Sequence, residues 1–368
     1  MTRATRRVRL AVSIGCPCGI GPEVSLAGAL ALQKKDANVR ALLVGDLGAL
    51  RAAARAIDVD ASRLVRVRAV EDAWHAITNQ KSTRSRSSIQ VFEPVAPLRA
   101  ADRRPGEPGR AAGAAQLAWI DAAMDLVAAG RADALVTGPV SKDAIARSGA
   151  RGSRGFLGHT EYLAARLSAP EVTMAFHNGK LTTSLVTTHL PLSAVSRAIG
   201  PAAVARAVYW TAWLVDLLHD VRQKKRARIA VAALNPHAGE RGLLGHEEQR
   251  AIAPGMALAR TRIEDAGIDV DLVGPVPAES AFRIASAGGF DAVVAMYHDQ
   301  ATIPMKLLGF GEAVNVSLGL PIVRTSVDHG TAYDRAGEGT ADPRGMIEAM
   351  VLATRLVRTA SQRRRKTL

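Results

Sequence analysis

Residues 291–300 read DAVVAMYHDQ, and the chain continues through IPMKLLGFGEAVNVSLGLPIVRTSVDHGTA (303–332) to GEGTADP (337–343). The apolar run Asp291–Met296, rich in Ala and Val, is too short for a helix and predicts a buried strand. It delivers Tyr297, His298, Asp299 and Gln300 at its carboxyl end, where open α/β sheets place their sites. Lys306, Asn315 and Arg324 follow at nine-residue intervals, each within four residues of a Gly or Pro. A cationic point charge, an amide and a guanidinium fork near a histidine suit a small anionic substrate.

Working outward, the same alternation of strand and helix recurs. VRLAVSI (8–14) predicts a strand, GCPCGIGPE (15–23) a glycine-rich turn, and residues 22–34 a helix that opens on Pro22 and Glu23. Such a turn often seats an anion. Its spacing is neither G-x-G-x-x-G nor G-x-x-x-x-G-K-[ST], so Rossmann and P-loop fingerprints are absent. Strands are expected at 41–46, 64–70 and 88–94, and most of the Ser-, Arg-, Pro- and Gly-rich stretch 80–113 reads as loop. Helices follow near 114–129, 158–167, 201–220, 247–266 and 346–359. VTMAF (172–176) and LTTSLVTTH (181–189) read as two paired strands, and RIAVAALNPHAGE (228–240) as a strand ending on Asn235, Pro236 and His237. The fold class is α/β, a parallel or mixed sheet flanked by helices, arranged as two lobes with a cleft between them. The boundaries are drawn at 1–145 with 290–368, and at 146–289.

With 368 residues, 48% of them hydrophobic and 4% aromatic, the chain carries a large core of Ala, Val and Leu. The formal charge of +14 is concentrated at the ends: Arg3, Arg6, Arg7 and Arg9 supply four positive charges, and the six basic residues from Arg355 onward supply six more. The body is therefore nearly balanced. With aromatic side chains scarce as well, composition argues against a nucleic-acid partner. No segment reaches the ~20 unbroken apolar residues of a membrane span. The basic N-terminus followed by LAVSIG is interrupted by Cys16-Pro17-Cys18 before it can serve as a signal sequence. Cys16 and Cys18 are the two cysteines. They exclude a disulfide framework, their C-x-C spacing is too cramped for an ordinary intrachain bridge, and a reducing cytoplasm fits them.

Of nine histidines, His189, His237 and His298 share one setting, the end of a predicted strand beside turn residues. Three neutral imidazoles converging at a sheet edge can hold one divalent cation and leave positions open for substrate oxygens.

The segments GCPCGIGPE, VTGPVSK, GFLGHTEYLA, LVTTHLPL, LNPHAGE, AMYHDQ and GFGEAVNVSLGLPIVRTSVDHGTA resemble the 4-hydroxythreonine-4-phosphate dehydrogenase family of pyridoxal-phosphate biosynthesis, in that family's order and over roughly residues 8–350. The resemblance implies a two-lobed α/β/α fold like that of isocitrate and isopropylmalate dehydrogenases. It implies His189, His237 and His298 as metal ligands, and His159, Thr160, Lys306, Asn315 and Arg324 as substrate-binding residues. It also implies a homodimer whose metal sites draw histidines from both subunits. More distantly, His329-Gly330-Thr331-Ala332 and AGEGTADP are similar to the loop with which isocitrate and isopropylmalate dehydrogenases grip the adenine end of the nicotinamide cofactor. Asp342 falls where those enzymes carry an adenine-contacting Asn.

The chemistry so implied is oxidation of a phosphorylated hydroxy acid by NAD or NADP, assisted by one divalent metal ion (Zn, Mg or Co), followed by decarboxylation. Lys306 is the candidate base, and Asp299 is placed to orient His298. The substrate read from the resemblance is 4-phosphohydroxy-L-threonine. Cys16 stands where that family is usually acidic and Cys18 where it usually has Ala, which leaves room for relatives' substrates: 4-phosphothreonate, 4-phosphoerythronate or a cis-dihydrodiol carboxylate. A metal-dependent hydrolase or aldolase built on the same histidines would need a carboxylate base at the metal and would leave 329–343 without a purpose.

Overall fold

The computed structural model describes residues 7–70, 74, 88–219 and 226–364. Residues 80–87 of the expected loop and the outermost basic residues of both tails lie outside that set. The chain divides into two compact units: unit 1 comprises residues up to 168 and from 321 onward, and unit 2 comprises 169–320.

Unit 1 opens with β1 (Val8–Ser13), α1 (Gly21–Lys35), β2 (Val39–Val44), α2 (Leu47–Ala56), β3 (Leu64–Val67) and β4 (Ile89–Phe92). It continues with α3 (Arg110–Ala128), β5 (Ala134–Thr137), α4 (Lys142–Arg147) and α5 (His159–Arg166). Local chemistry explains the starts. Pro22 sits in the first turn of α1, and Asp46 caps α2 by accepting from Ala49 N–H at 2.6 Å. Asp46 also accepts from Leu98 N–H and from Arg103, which pins the 94–109 connection down.

Unit 2 contains β6 (Thr173–His177), β7 (Thr182–Leu185), α6 (Leu192–Ala198), α7 (Pro201–Leu218), β8 (Ala227–Ala232) and α8 (Ala253–Asp265). After these come β9 (Val270–Val276), α9 (Ala278–Ser286), β10 (Ala292–Ala295), α10 (His298–Gly309) and β11 (Val314–Leu318). The chain then returns to unit 1 with β12 (Arg324–Val327) and α11 (Arg344–Arg364).

Among the described residues, the strands of unit 1 run β3-β4-β2-β1-β5-β12, all parallel. Those of unit 2 run β11-β6-β7-β10-β8-β9: β6 is antiparallel to both β11 and β7, and the remaining pairs are parallel. Parallel strands buried on both faces read as continuous apolar runs, and β1, β5 and β10 do so. Alternation along the strands of unit 2 still sorts its core into two layers. Ile229, Val231, Val294 and Met296 face Val204, Val208 and Met256 of α7 and α8. Ala230, Ala232, Val293 and Ala295 face Phe282 and Met305 of α9 and α10.

Two sequence expectations shift. Residues 290–320 fall in unit 2, because β10 pairs with β7 and β8 there, so the boundaries lie at 168 and 320. Residues 298–309, where the sequence reading names no helix, form α10 with Pro304 inside it. Burial of Ala301, Thr302 and Met305 outweighs the hydrogen bond that the proline removes. No helix among the described residues is long and apolar enough to cross a membrane.

Close packing of α3 on α4 gives a direct stability test. A Cβ at Gly113 would meet the Ala144 carbonyl oxygen at 2.0 Å, whereas nothing lies within 4 Å of one at Gly179. Gly113→Ala should lower stability by roughly 1–3 kcal/mol, and Gly179→Ala should change it by less than about 0.5 kcal/mol, both measured by denaturant unfolding.

Candidate active site

The three strand-end histidines all belong to unit 2, and neighbouring strands position them. β10 lies between β7 and β8, with parallel register on both sides, so the chain leaves all three strands at the same sheet edge. Val186 N–H donates to the Ala295 carbonyl at 2.9 Å, and the Thr187 hydroxyl donates to the Met296 carbonyl at 2.8 Å. These bonds carry the exits of β7 and β10 side by side. The rings of His189 and His298 then stand 5.5 Å apart, centroid to centroid. Gln300 ties the third strand in: it accepts from Met296 N–H at 2.7 Å and donates to the Ala233 carbonyl at 2.9 Å.

His298 is the first residue of α10 and Asp299 the second. Asp299 Oδ1 lies 2.7 Å from His298 Nδ1. That contact uses one ring nitrogen and leaves Nε2 for a ligand, which is how a carboxylate commonly orients a metal-binding imidazole. A carboxylate in the first turn also suits the positive end of the helix.

His237 is held differently. It opens a run of left-handed residues, His237 to Arg241, with φ between 42° and 75°. Four of the five are not glycine, and each such residue costs on the order of 1–2 kcal/mol. Acidic side chains hold the loop in place. Buried Glu248 accepts from Leu234 and Asn235 N–H at 3.0 and 2.8 Å, and the Asn235 amide donates to both Glu247 and Glu248. Nothing in the composition of HEEQR (246–250) singled out these two glutamates. The loop leaves His237 exposed. Among the described residues, no group of three or more His, Cys, Asp or Glu stands together as a metal site. One chain brings together the rings of His189 and His298.

Lys306 lies on α10, eight residues beyond His298 and thus ~12 Å along the axis. Asn315 lies on β11, opposite Phe176 of β6.

In unit 1, Arg324 starts β12 and is 2% exposed. Its Nη2 donates to the Thr137 hydroxyl, at the end of β5, at 2.6 Å. Burial draws its pKa down to about 9, with the Glu161 carboxylate pulling the other way. His159 opens α5, its ring edge-on to Phe156 at 6.1 Å. Nε2 of His159 is buried without a hydrogen-bond partner among the described residues. Burial first, then the charges of Arg324 and Lys142, hold its pKa well below the usual 6.5, so the ring is neutral. Thr160 follows, buried in the same first turn. A Cβ at Gly158 would lie 3.3 Å from the Glu161 carboxylate and 3.7 Å from Lys142 Nζ, which places both charges at the helix entrance. Buried Arg324, whose charge acts on His159 at this helix start, favours an anion there. Lys142 and Glu161 were not among the residues selected from the sequence, since a lysine after a turn carries no signal of its own.

The 329–343 segment also lies in unit 1, and Glu23 shapes it. That buried carboxylate accepts from Gly337 N–H at 2.7 Å and Gly339 N–H at 3.1 Å, and Ile20 N–H donates to the Thr331 carbonyl at 3.0 Å. A Cβ at Gly19 would strike that Thr331 oxygen at 2.6 Å, so the close approach requires glycine there. His329 contacts the Gly330 carbonyl through Nδ1, and Ala332 adopts φ 42°. Asp342 is held below the usual carboxylate range mainly by Arg344, with His329 contributing, so these two predicted cofactor residues lie within each other's field.

Comparison with known proteins agrees with this layout. The two-unit α/β architecture is that of the isocitrate/isopropylmalate dehydrogenase-like fold. A solved structure of a putative 4-hydroxythreonine-4-phosphate dehydrogenase from Salmonella typhimurium is similar, with a TM-score of 0.77 and 31% identity, covering 95% of this chain and 100% of that one. A terephthalate 1,2-cis-dihydrodiol dehydrogenase from Burkholderia xenovorans is similar at TM-score 0.62 and 28% identity, covering 95% and 98%. A 4-hydroxythreonine-4-phosphate dehydrogenase from Desulfosudis oleivorans is 40% identical over 348 residues, 94% of this chain and 95% of its own. The family model for pyridoxal phosphate biosynthetic protein PdxA matches residues 37–353, and the chain belongs to that family.

A neutral His159 has a thermodynamic signature. Its folded-state pKa lies below the unfolded value of about 6.5, so the unfolded chain takes up a proton that the fold rejects, and stability falls as pH drops through that value. His159→Gln should reduce the loss of melting temperature between about pH 7.5 and pH 5.5; an unaltered pH dependence would show that His159 titrates normally.

Proposed function

We propose that the chain is an NAD- or NADP-dependent oxidoreductase that oxidises a phosphorylated hydroxy acid and then decarboxylates it. The substrate proposed is 4-phosphohydroxy-L-threonine, and the product 3-amino-2-oxopropyl phosphate, in pyridoxal 5′-phosphate biosynthesis in the cytoplasm. Carrying this reading is the 40% identity, along 94% of the chain, to a relative named for that reaction. The likeness to a dihydrodiol dehydrogenase supports a second reading, in which a cis-dihydrodiol carboxylate is oxidised instead.

The donor set fits a divalent cation: His298 has Nδ1 occupied by Asp299 and Nε2 left over, and His189 stands beside it. When bound, such a cation (Zn, Mg or Co) lowers the pKa of the substrate hydroxyl and stabilises charge on its oxygens through both steps. His189 and His298 of one chain, with the partner's His237, are proposed as its ligands. The exposed apolar surface supports a shared site. Eight of the eleven exposed large hydrophobic side chains among the described residues lie in unit 2. Six of them come after a histidine in the chain: Leu190 and Leu192 after His189, Leu243 and Leu244 after His237, and Leu307 and Phe310 after His298. Apolar surface concentrated in this way marks a protein interface.

Arg324, Asn315, His159 and Thr160 are proposed to bind the substrate, with the anionic end offsetting the desolvation of Arg324. Lys306 is proposed to accept the hydroxyl proton through an intervening water, while Asp299 holds His298 in orientation. His329, Gly330, Thr331, Ala332 and Asp342 are proposed to hold the adenine end of the cofactor.

A panel of 4-phosphohydroxythreonine, 4-phosphothreonate, 4-phosphoerythronate and a dihydrodiol, assayed by NAD(P)H absorbance with Mg²⁺, Co²⁺ or Zn²⁺, tests the substrate. Absence of reduction with all four would sink the dehydrogenase reading. Arg324→Lys should raise KM roughly ten- to a hundredfold, because a point charge does not replace a bidentate fork; steady-state kinetics with an unchanged KM would remove Arg324 from the site. His237→Ala should abolish metal retention in dialysed protein, and light scattering should show a dimer. Full metal occupancy in that variant, or an active monomer, would contradict the shared centre.

A further inference from the structure

Glu23 has no role in the proposed chemistry, yet its carboxylate bonds to a backbone group 314 residues further along the chain. It stands in the first turn of α1, 4% exposed. By sequence it is simply a carboxylate that suits the positive end of a helix. In the fold each of its oxygens has a separate task. Oε1 accepts from Gly337 N–H at 2.7 Å, and Oε2 accepts from Gly339 N–H at 3.1 Å. Both glycines sit in the left-handed region, at φ 84° and 70°, outside any helix or strand ladder that would pair their N–H groups. Packing leaves the segment little freedom at these two points. A Cβ at Gly339 would meet the Ala56 carbonyl oxygen at 2.0 Å, and one at Gly337 would meet Pro105 Cγ at 3.1 Å. Glu23 and Gly337 also line a cavity of ≈ 420 Å³, together with Ala49, Ala52 and Ala53 of α2. Those short side chains provide no polar hold on Gly337, and Arg103, which lines the same space, is bound to Asp46 at 2.7 Å. Burial pushes the Glu23 carboxyl above the usual carboxylate range, the two N–H donors pull it back, and Glu338 adds to the rise. A desolvated carboxylate and two buried N–H groups thus satisfy one another.

We infer, resting on the proposed role of 329–343 at the adenine end of the cofactor, that Glu23 is a positioning residue for NAD or NADP: its carboxylate sets the 337–339 backbone in the conformation that binds. The start of α1 fixes the segment at a second point, because Ile20 N–H donates to the Thr331 carbonyl at 3.0 Å. One short stretch of chain, Gly19 to Glu23, therefore holds the segment at 331 and again at 337–339. A loop held in place before its ligand arrives loses little further freedom on binding, and this preorganisation appears as affinity. Without the carboxylate, ordering of 337–339 has to accompany cofactor binding and weakens it.

The test titrates the full-length protein with NADH and with NADPH by fluorescence, in the absence of substrate. Glu23→Gln keeps the shape of the side chain but turns one acceptor oxygen into an amide donor, which cannot accept from a glycine N–H. Its Kd for the cofactor should rise roughly ten- to a hundredfold, and its KM for the cofactor with it. Metal retained after dialysis and KM for the phosphorylated substrate should stay at wild-type values. Glu23→Asp, which keeps the charge but is one methylene shorter, should weaken cofactor binding as well. An unchanged cofactor Kd in either folded variant, whatever its melting temperature, would reduce Glu23 to structural support and overturn the inference. His329→Ala separates this from the reading beneath it. Weaker binding in that variant with wild-type binding in Glu23→Gln sinks the inference alone, whereas unchanged binding in all three variants sinks the cofactor role of 329–343 as well. If neither Glu23 variant folds, hydrogen exchange of the wild-type protein decides: the Gly337 and Gly339 amides should be protected before cofactor is added, and amides that become protected only with NADH or NADPH would overturn the inference.

Discussion

The parallel pairing of β10 with β7 on one side and β8 on the other is the constraint on which the candidate metal centre depends. Parallel strands leave their sheet at one edge, so three chain exits lie together whatever follows them. Thr187 and Gln300 then fix those exits through backbone groups, and the distance between His189 and His298 follows from the fixed strand spacing. His237 is different in kind. Its loop runs through left-handed conformations that cost energy, and buried Glu248 with Glu247 offsets that cost. That strain is held beside the exposed Leu243 and Leu244.

Charge is managed differently in unit 1. A guanidinium at 2% exposure and a neutral imidazole with a buried orphan nitrogen leave a local excess of positive field at the start of α5. Desolvation makes an anion there worth more than the same contact would be at the surface. Glu23 plays the opposite part: one buried carboxylate accepts two backbone N–H groups and so sets the path of the 337–339 glycines. The glycine-rich turn, Glu23 and the 329–343 segment therefore act as one assembly, with no Rossmann fingerprint in it.

Much was legible in the sequence, because local rules and tertiary structure agree for most elements. Apolar runs of strand length, a proline in the first turn of α1, and the paired reading of 172–189 all correspond to observed elements. The helix α10 goes unnamed in the sequence reading for a specific reason: Pro304 interrupts the helical pattern locally, while burial of Ala301 and Met305 decides for helix. The boundary at 320 was equally hidden, since β10 joins unit 2 through hydrogen bonds to strands more than sixty residues earlier in the chain.

By itself the amino-acid sequence determined the α/β class, the order of most strands and helices, the strand-end placement of the three histidines and the kinship carried by its motifs. These follow from periodicity, turn chemistry and spacing, which are properties of short stretches. Tertiary structure alone decided which histidines face each other, that Asp299 occupies Nδ1 of His298, that Glu248 and Glu23 hold their loops, and that burial leaves His159 neutral and draws Arg324 down. Those outcomes depend on register between distant strands and on the exclusion of water, and neither is written in any one segment of the chain.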